Sequence, residues 1–355
     1  MGVLLGILTV KRGDEFRGNR RNFYDITKIG RLLGHEVIVL APESLSIHSQ
    51  TIQAWKWNHG WKLVTSRLPD VVYNRIPDRK AEQTTAVKEA KKRLKRMGIP
   101  YYNPGFFNKR SLYELLSRRA DTSIFVPRTL PVSDLRDLLP FLAEVKSVYL
   151  KPIHGKAGDG IFRIDHQGEM YHIVFQKKGY RLTHRLKQEA SLLKFLHKKM
   201  GRNDYVAQEG IDLSRVQGRM FDLRLLLQKG REGHFEITGF GCRVAAPDGI
   251  TTHVPNGGMI LPAVESLAQV FPGQEEQVMN RVTEMAMRCA ETIDEGEEEL
   301  VGEMSMDIGV DRESRLWFFE ANAKPMKFDE PHIRERSLKQ IFYFCEHLLS
   351  KASRI

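Results

Sequence analysis

An apolar run from Val3 to Val10, a helical pattern from Tyr24 to Leu33 and a second buried run, His35-Glu36-Val37-Ile38-Val39-Leu40, constrain the fold more than anything else in this chain. Apolar runs without strict alternation belong to strands covered on both faces, and two of them joined through a helix make a βαβ unit. The second run stops at Ala41-Pro42. Asp70-Val71-Val72-Tyr73 supplies another short strand, a strongly charged helical stretch follows from Arg79 to Met97, and Ile99-Pro100-Tyr101-Tyr102 returns to an extended pattern. Alternating strands and helices predict an open α/β sheet over roughly the first hundred residues. The first turn, Lys11-Arg12-Gly13-Asp14, lacks the spacing of a GxGxxG dinucleotide loop, which disfavours a Rossmann cofactor and leaves this unit as a scaffold for one wall of a site.

From about Ser111 the pattern changes. A helix through Arg119, a turn at Val126-Pro127-Arg128-Thr129 and a helix near Leu135 to Glu144 lead into Ser147-Val148-Tyr149-Leu150-Lys151-Pro152, a strand that delivers Lys151 to a glycine-rich loop. That loop, His154-Gly155-Lys156-Ala157-Gly158-Asp159-Gly160, is followed by the strand Ile161 to Ile164, so the two strands predict a hairpin lid. Gly155, Gly158 and Gly160 lack Cβ atoms, and their backbone N–H groups can close on phosphate oxygens while Lys151 adds a full positive charge. The loop is not a Walker A motif: Ala157 stands where Ser or Thr is needed and Leu150 where the first glycine should be. Taken alone it would serve equally as a plain turn. Further on come a helix from Leu186 to Met200, the strand Tyr205-Val206-Ala207-Gln208-Glu209, and, after Arg219, strands with one long helix from Glu275 to Ile293.

The chemistry concentrates near the far end. Glu303 to Val310 and Leu316 to Asn322 read as two strands joined by the polar turn Asp311 to Ser314. With a turn of that length Val310 faces Arg315 and Asp307 faces Phe318, and alternation then puts Asp307, Glu320 and Asn322 on one face. Two carboxylates and an amide are hard oxygen ligands suited to Mg²⁺, which completes its shell with water and phosphate oxygens. Met306, Trp317 and Phe319 make these strands core-forming, so the acidic residues stand out at one end.

Taken in order, Lys109, Lys151, the glycine loop, Gln208-Glu209-Gly210-Ile211, Asp222-Leu223-Arg224, Arg243, Asn256-Gly257-Gly258, Asp307 and Glu320-Ala321-Asn322 resemble the motif series of the ATP-grasp superfamily over about residues 100 to 330. The whole chain, including Asp70 to Pro77 and Phe221 to Asn256, looks like that family's YheC/YheD branch of endospore coat-associated proteins. The resemblance implies an ATP-grasp fold preceded by an open α/β domain: residues 1–108, then a lobe with the glycine-rich lid at 109–205, a carboxylate-bearing lobe at 206–330 and a C-terminal helix at 331–355. It implies that Lys109, Lys151 and the loop glycines with Lys156 contact the phosphates and that Gln208 to Ile211 hold the adenine. Asp307, Glu320 and Asn322 would hold magnesium, two ions in all, while Arg224 and Arg243 face the γ-phosphate and a developing acyl phosphate, with Asn256 near the phosphate. The implied activity is ATP-dependent ligation of a carboxylate to an amine or thiol. The rivals are an ATP-binding module without turnover and a phosphotransferase acting on an acidic polymer.

Composition narrows the setting. A net charge of +11 and a pI of about 9.5 call for an anionic partner, be it nucleotide, acidic peptide or acidic polymer. The basic stretches Arg79 to Arg96 and Lys177 to Lys199 read as solvated helix faces, and without stacking aromatics beside them nucleic acid is disfavoured. Met1 to Val10 is too short to span a membrane and lacks a signal peptide's flanks, and Gly6 stands where myristoylation wants Ser or Thr. Cys242, Cys289 and Cys345 are scattered, with no metal-ligand spacing. A cytoplasmic protein, associated with the developing spore coat if the narrower resemblance holds, is expected. The stretch Ile333 to Ser350, with Leu338, Ile341, Phe342, Cys345 and Leu348 at helical spacing, is expected to pack on its own chain.

Overall fold

The computed structural model describes residues 2–153, 158–177, 180–201, 203–325, 328 and 331–352. The first sheet runs, edge to edge, through Trp61–Arg67, Thr51–Trp57, Glu36–Leu40, Leu4–Leu8, Val71–Asn74 and Tyr101–Tyr102. Its centre is parallel, since Leu4–Leu8 pairs in parallel with both Glu36–Leu40 and Val71–Asn74, as the βαβ pattern requires. Both faces are covered. Leu5 and Ile7 turn toward the helices Arg20–Leu32 and Pro331–Ala352, whereas Leu4 and Leu8 turn toward Thr85–Arg96, which explains why this strand shows no polar alternation. The C-terminal helix therefore closes onto the first sheet through Leu338, Ile341, Phe342 and Cys345. At Gly30 a Cβ would lie 2.6 Å from the Phe342 ring, so only glycine allows the two helices to approach there.

Two departures from the sequence reading have plain causes. The charged helix is two, Arg79–Glu82 and Thr85–Arg96, because Asp78 caps the first turn and the chain restarts after Thr84. The hairpin Thr51–Trp57 with Trp61–Arg67 extends the sheet antiparallel beyond Glu36–Leu40, and it escapes pattern reading because its outer strand is almost wholly solvated.

The second sheet is antiparallel and ordered Tyr180–Leu186, Met170–Lys177, Ile161–Gln167, Ser147–Pro152, Tyr205–Glu209, Thr129–Val132. One face packs Val148, Leu150, Phe162, Ile164 and Ile173 against the helices Leu138–Val145 and Glu189–Met200. The third sheet is ordered Met259–Leu261, Phe235–Val244, Arg219–Lys229, Glu303–Val310, Leu316–Asn322, and its core face packs on the helix Glu275–Gly296 and on Lys109–Ser117. Asn103 joins the first and third sheets: its Nδ2 donates to the carbonyl oxygens of Glu303 and Ala323, and its Oδ1 accepts from the backbone N–H of Gly302 and Glu303.

The C-terminal hairpin differs from the expected register. Its tight end pairs Val310 with Leu316, not with Arg315, because Asp311 caps a five-residue turn by accepting from the N–H groups of Glu313 and Arg315. A bulge then follows, so that Ile308 pairs with Phe318 while Asp307 pairs with Glu320, leaving Phe319 as the extra residue. Without that extra residue Glu320 would fall opposite Met306, on the core face; the bulge returns it to the face of Asp307.

Candidate functional site

A cleft of about 830 Å³, counted with its open mouth, lies between the outward faces of the second and third sheets. On the second sheet, Tyr149 pairs with Gln208 and Lys151 with Val206, while Val148 and Leu150 point into the core; alternation therefore sends Tyr149, Lys151 and Gln208 into the cleft. The Lys151 ammonium donates to Gln208 Oε1, Gln208 Nε2 donates to Thr129 Oγ1 at 3.1 Å, and the ammonium stands 5.2 Å from the Phe319 ring centroid. Burial, then repulsion from Lys109, pulls Lys151 down to about 8, against the attraction of Glu320, Asp307 and Asp222. Glu209 and Ile211 continue this wall. Gly210 does not line it: its N–H is bonded to the Ser147 carbonyl, and a Cβ there would meet Ser147 Oγ at 2.3 Å.

The third sheet forms the opposite wall. Cross-strand pairing puts Arg224 beside Asp307 and Asp307 beside Glu320, with Asp222 beside Arg243 one row away. Arg243 is buried; its guanidinium takes Asp222 in a fork at 2.8 and 2.7 Å and reaches Asp307 at 2.8 Å, while Thr252 Oγ1 donates to Asp222 at 2.6 Å. Burial works against the Arg243 charge, but the two carboxylates outweigh it and raise its pKa. Burial would likewise raise Asp307, yet Arg243, then Arg224 and His253, hold it down at about 2. Glu320 is paired with Lys109 at 2.7 Å, and that cation lowers its pKa against the combined push of burial and of Asp307. Both acids are therefore ionised at neutral pH, side by side, facing the cleft.

The turn of the glycine-rich loop rests on the segment after Phe235–Val244. Gln176 Nε2 donates to the Gly158 carbonyl at 3.3 Å and to Thr251 Oγ1 at 3.0 Å, and Asn256 Nδ2 reaches Thr251 Oγ1 at 3.3 Å. Gly158 has φ +70 and a Cβ there would lie 2.8 Å from Asn256 Nδ2, so the backbone itself closes against this segment. Gly160 has φ +74 and accepts from the Tyr205 hydroxyl at 3.1 Å. Gly155 and Lys156, with His154, lie outside the described residues.

Of the residues singled out from sequence, Lys109, Lys151, Gly158, Gln208, Glu209 and Ile211 line the cleft together with Arg243, Asp307 and Glu320. Three stand at its margin. Arg224 reaches Asp307 at 3.4 Å and Ser305 Oγ at 3.0 Å, Asn322 pairs with Ser305 two residues beyond Glu320, and Asn256 supports the lid turn. Sequence reasoning missed His253. Its ring and the carboxylates of Asp307 and Glu320 offer ligand atoms within 4.8 Å of one another, and its buried Nδ1 has no hydrogen-bond partner among the described residues. Burial, then Arg243, lowers its pKa, so the ring is neutral there and that nitrogen is open to a partner that the described residues do not supply. Only its place in a Gly- and Pro-containing loop directly before Asn256 marked it in advance.

Two carboxylates suit Mg²⁺, which prefers oxygen and keeps several waters, and the orphaned His253 nitrogen with the facing cations Lys109 and Lys151 suits a polyphosphate beside it. The residues present therefore fit a magnesium nucleotide. A family model described as YheC/D like ATP-grasp matches residues 98–348, which carries the resemblance into the C-terminal helix. The chain is 28% identical to the endospore coat-associated protein YheD of Bacillus subtilis (strain 168) over 366 residues, covering 99% of this chain and 80% of YheD. It is 20% identical to the endospore coat-associated protein YheC of the same strain, covering 99% of this chain and 97% of YheC. Among solved structures, D-alanyl-alanine synthetase A from Vibrio cholerae O1 biovar eltor str. N16961 superposes with a TM-score of 0.55 at 12% identity, covering 100% of this chain and 98% of that one, a likeness of fold. Among the described residues no helix is long and apolar enough to cross a membrane.

Proposed function

The chain belongs to the YheC/D-like ATP-grasp family, and from that premise we propose that it binds Mg·ATP in the cleft and uses it to join a carboxylate to an amine or thiol. The observation that carries this reading is the bulge at Phe319, which puts Asp307 and Glu320 side by side facing Lys109 and Lys151. Asp307 and Glu320, with Asn322 at the margin, would hold the magnesium, which when bound neutralises charge on the phosphates. Lys109 and Lys151 meet the phosphate oxygens, and Glu209 and Ile211 hold the base against the rim of the second sheet. Arg243 acts through Asp307: its fork to Asp222 fixes the carboxylate's position and keeps it ionised. Arg224, at the edge of the same row, is placed for the anion that forms on transfer.

In the reaction an oxygen of the substrate carboxylate attacks the γ-phosphorus and the bond to the β-bridging oxygen breaks, leaving ADP and an acyl phosphate. The amine then attacks the acyl carbon and expels phosphate, losing a proton on the way. Catalysis rests on alignment and on charge placed in advance, and no nucleophile of the chain takes part. A setting in the spore coat is part of the same proposal, supported by the names of the two endospore coat-associated relatives. The test is ADP release from Mg·ATP with candidate acids in the presence of hydroxylamine. A hydroxamate formed in step with ADP supports the ligase, phosphorylated acid without hydroxamate points to a phosphotransferase, and ATP binding without ADP release on any acid contradicts the reading.

The Lys151 titration makes a separate prediction. Its ammonium is charged below about 8 and neutral above, so ATP affinity should fall by about tenfold between about pH 7 and pH 9. Binding near pH 8 should take up protons, since phosphate oxygens raise the pKa of the lysine they contact. Calorimetry in buffers of different ionisation enthalpy reads both effects, and Lys151→Met should bind weakly at every pH with the slope gone. An unchanged slope in that variant would remove Lys151 from the phosphates.

A further inference from the structure

Three stretches of chain converge on one point of the cleft: Asp307 from Glu303–Val310, Glu320 from Leu316–Asn322 and His253 from the segment after Phe235–Val244. A ring nitrogen of His253 and one oxygen from each carboxylate all lie within 4.8 Å of one another. Ligands of one octahedral ion, each about 2.1 Å from it, stand roughly 3 Å apart when adjacent and roughly 4.2 Å when opposite, so a small side-chain adjustment brings the three atoms onto one ion.

The histidine is anchored through its neighbours while its own ring is left open. Thr252 donates to Asp222 at 2.6 Å, and Asp222 is forked by the same Arg243 that reaches Asp307, so one guanidinium positions both the histidine segment and the carboxylate. On the other flank the His253 carbonyl accepts from the Asn256 N–H at 2.9 Å, and Thr251 Oγ1 accepts from Gln176 at 3.0 Å. Nδ1 is buried without a hydrogen-bond partner among the described residues, and the lid turn covers it: a Cβ at Gly158 would lie 3.3 Å from it. A side chain fixed in this way, with an unsatisfied nitrogen, is preorganised for a ligand. The two carboxylates decide which kind. They repel phosphate oxygens, so a nitrogen gathered with them stands where a cation goes, and the phosphates belong with Lys109 and Lys151.

We propose that His253 is a metal ligand, the third beside Asp307 and Glu320, and that its nitrogen makes the nucleotide site prefer Mn²⁺ to Mg²⁺. This rests on the Mg·ATP reading of the cleft and refines it, since Mg²⁺ still fills the site through oxygen alone. Mg²⁺ gains little from an imidazole, whereas Mn²⁺ takes the same octahedral shell of carboxylate, phosphate and water and stands closer to the nitrogen-binding metals. The ion arrives with the nucleotide. Lys109, Lys151, Arg224 and Arg243 outnumber Asp222, Asp307 and Glu320 along this wall, so a bare dication meets net positive charge that the polyphosphate reverses.

Each metal is supplied as its preformed complex with a non-hydrolysable ATP analogue and titrated by calorimetry into the full chain, which cancels the nucleotide's own preference between the ions. The Mn²⁺ complex should bind at least about tenfold more tightly than the Mg²⁺ complex, and His253→Gln, which offers an amide oxygen for the nitrogen, should bring the two within about threefold. Pulsed EPR of the bound Mn²⁺ identifies the ligand itself. Nitrogen modulation should appear in the wild type, change when histidine alone carries the heavy nitrogen isotope, and vanish in His253→Gln; the labelling separates histidine from adenine and needs no variant to fold. The proposal is overturned if the wild type does not distinguish the two complexes, if the modulation ignores the label, or if it persists in folded His253→Gln. It is overturned equally if that variant weakens the metal-free analogue as much as the Mn²⁺ complex, which would make His253 a phosphate contact. Failure of the wild type to bind either complex refutes the ATP reading alone, and the same spectra with millimolar Mn²⁺ and no nucleotide, in wild type and His253→Gln, then decide whether His253 holds the ion.

Discussion

Glu320→Gln should leave the chain folded and lower Mg-dependent ADP release by on the order of a hundred- to a thousandfold, the range found when one preorganised electrostatic contact to a developing charge is removed. Glutamine keeps the shape of the side chain, so the bulge and the pairing of Asp307 with residue 320 persist. What changes is charge. One of two adjacent anions facing the cleft disappears, and Lys109, now paired at 2.7 Å, loses its counter-ion. Lys109 is then freer to hold ATP directly, so nucleotide affinity should fall far less than turnover. Such a split marks a group needed for transfer more than for binding. Steady-state ADP release beside equilibrium ATP binding reads it, and equal losses in both would make Glu320 a binding group only.

Arg243→Met is the second large effect, on stability. Methionine fills part of the space and removes the cation that, among the described residues, touches both Asp222 and Asp307. Two buried carboxylates left without it should cost about 3–5 kcal/mol, as for other buried pairs broken from one side. The pH dependence has a definite sign. In the wild type Asp307 is held at about 2, below its ordinary 3.8, so its contribution is fully present above about pH 4 and is lost as pH falls toward 2. In the variant, burial is less opposed and the Asp307 value rises, so the deficit should shrink as pH drops from about 7 to about 5 and the proton binds. Urea unfolding at the two pH values measures the difference. A deficit that stays constant would mean that Arg243 contributes packing and not charge. Replacing Asp222 and Arg243 together by apolar residues should restore part of the loss.

How far the site was legible from residues alone depends on what sort of information each part needs. Leu4–Leu8 and Glu36–Leu40 could be read directly because burial on both faces leaves an unbroken apolar run, and that run is local. The hairpin Thr51–Trp57 with Trp61–Arg67 could not, since Lys56, Lys62 and Arg67 dilute its pattern and its role is to pair with a strand already placed. Asp307, Glu320 and Asn322 were legible as acids and amide on apolar strands, but their pairing was not. A turn one residue longer and a bulge at Phe319 each shift the register, and the two shifts together return all three side chains to one face. The fork from Arg243 to Asp222 requires knowing that Phe235–Val244 pairs with Arg219–Lys229, which no local pattern states. His253 is harder still. It becomes visible only because a buried nitrogen lacks a partner among the described residues.

Equilibrium titration of ATP into the wild-type chain, with and without Mg²⁺, decides whether the cleft is a magnesium-nucleotide site. One site per chain is expected, saturable and strengthened by Mg²⁺, with the Mg²⁺ effect lost in Glu320→Gln. No saturable ATP binding by the folded chain, or binding indifferent to both Mg²⁺ and Glu320, would contradict it.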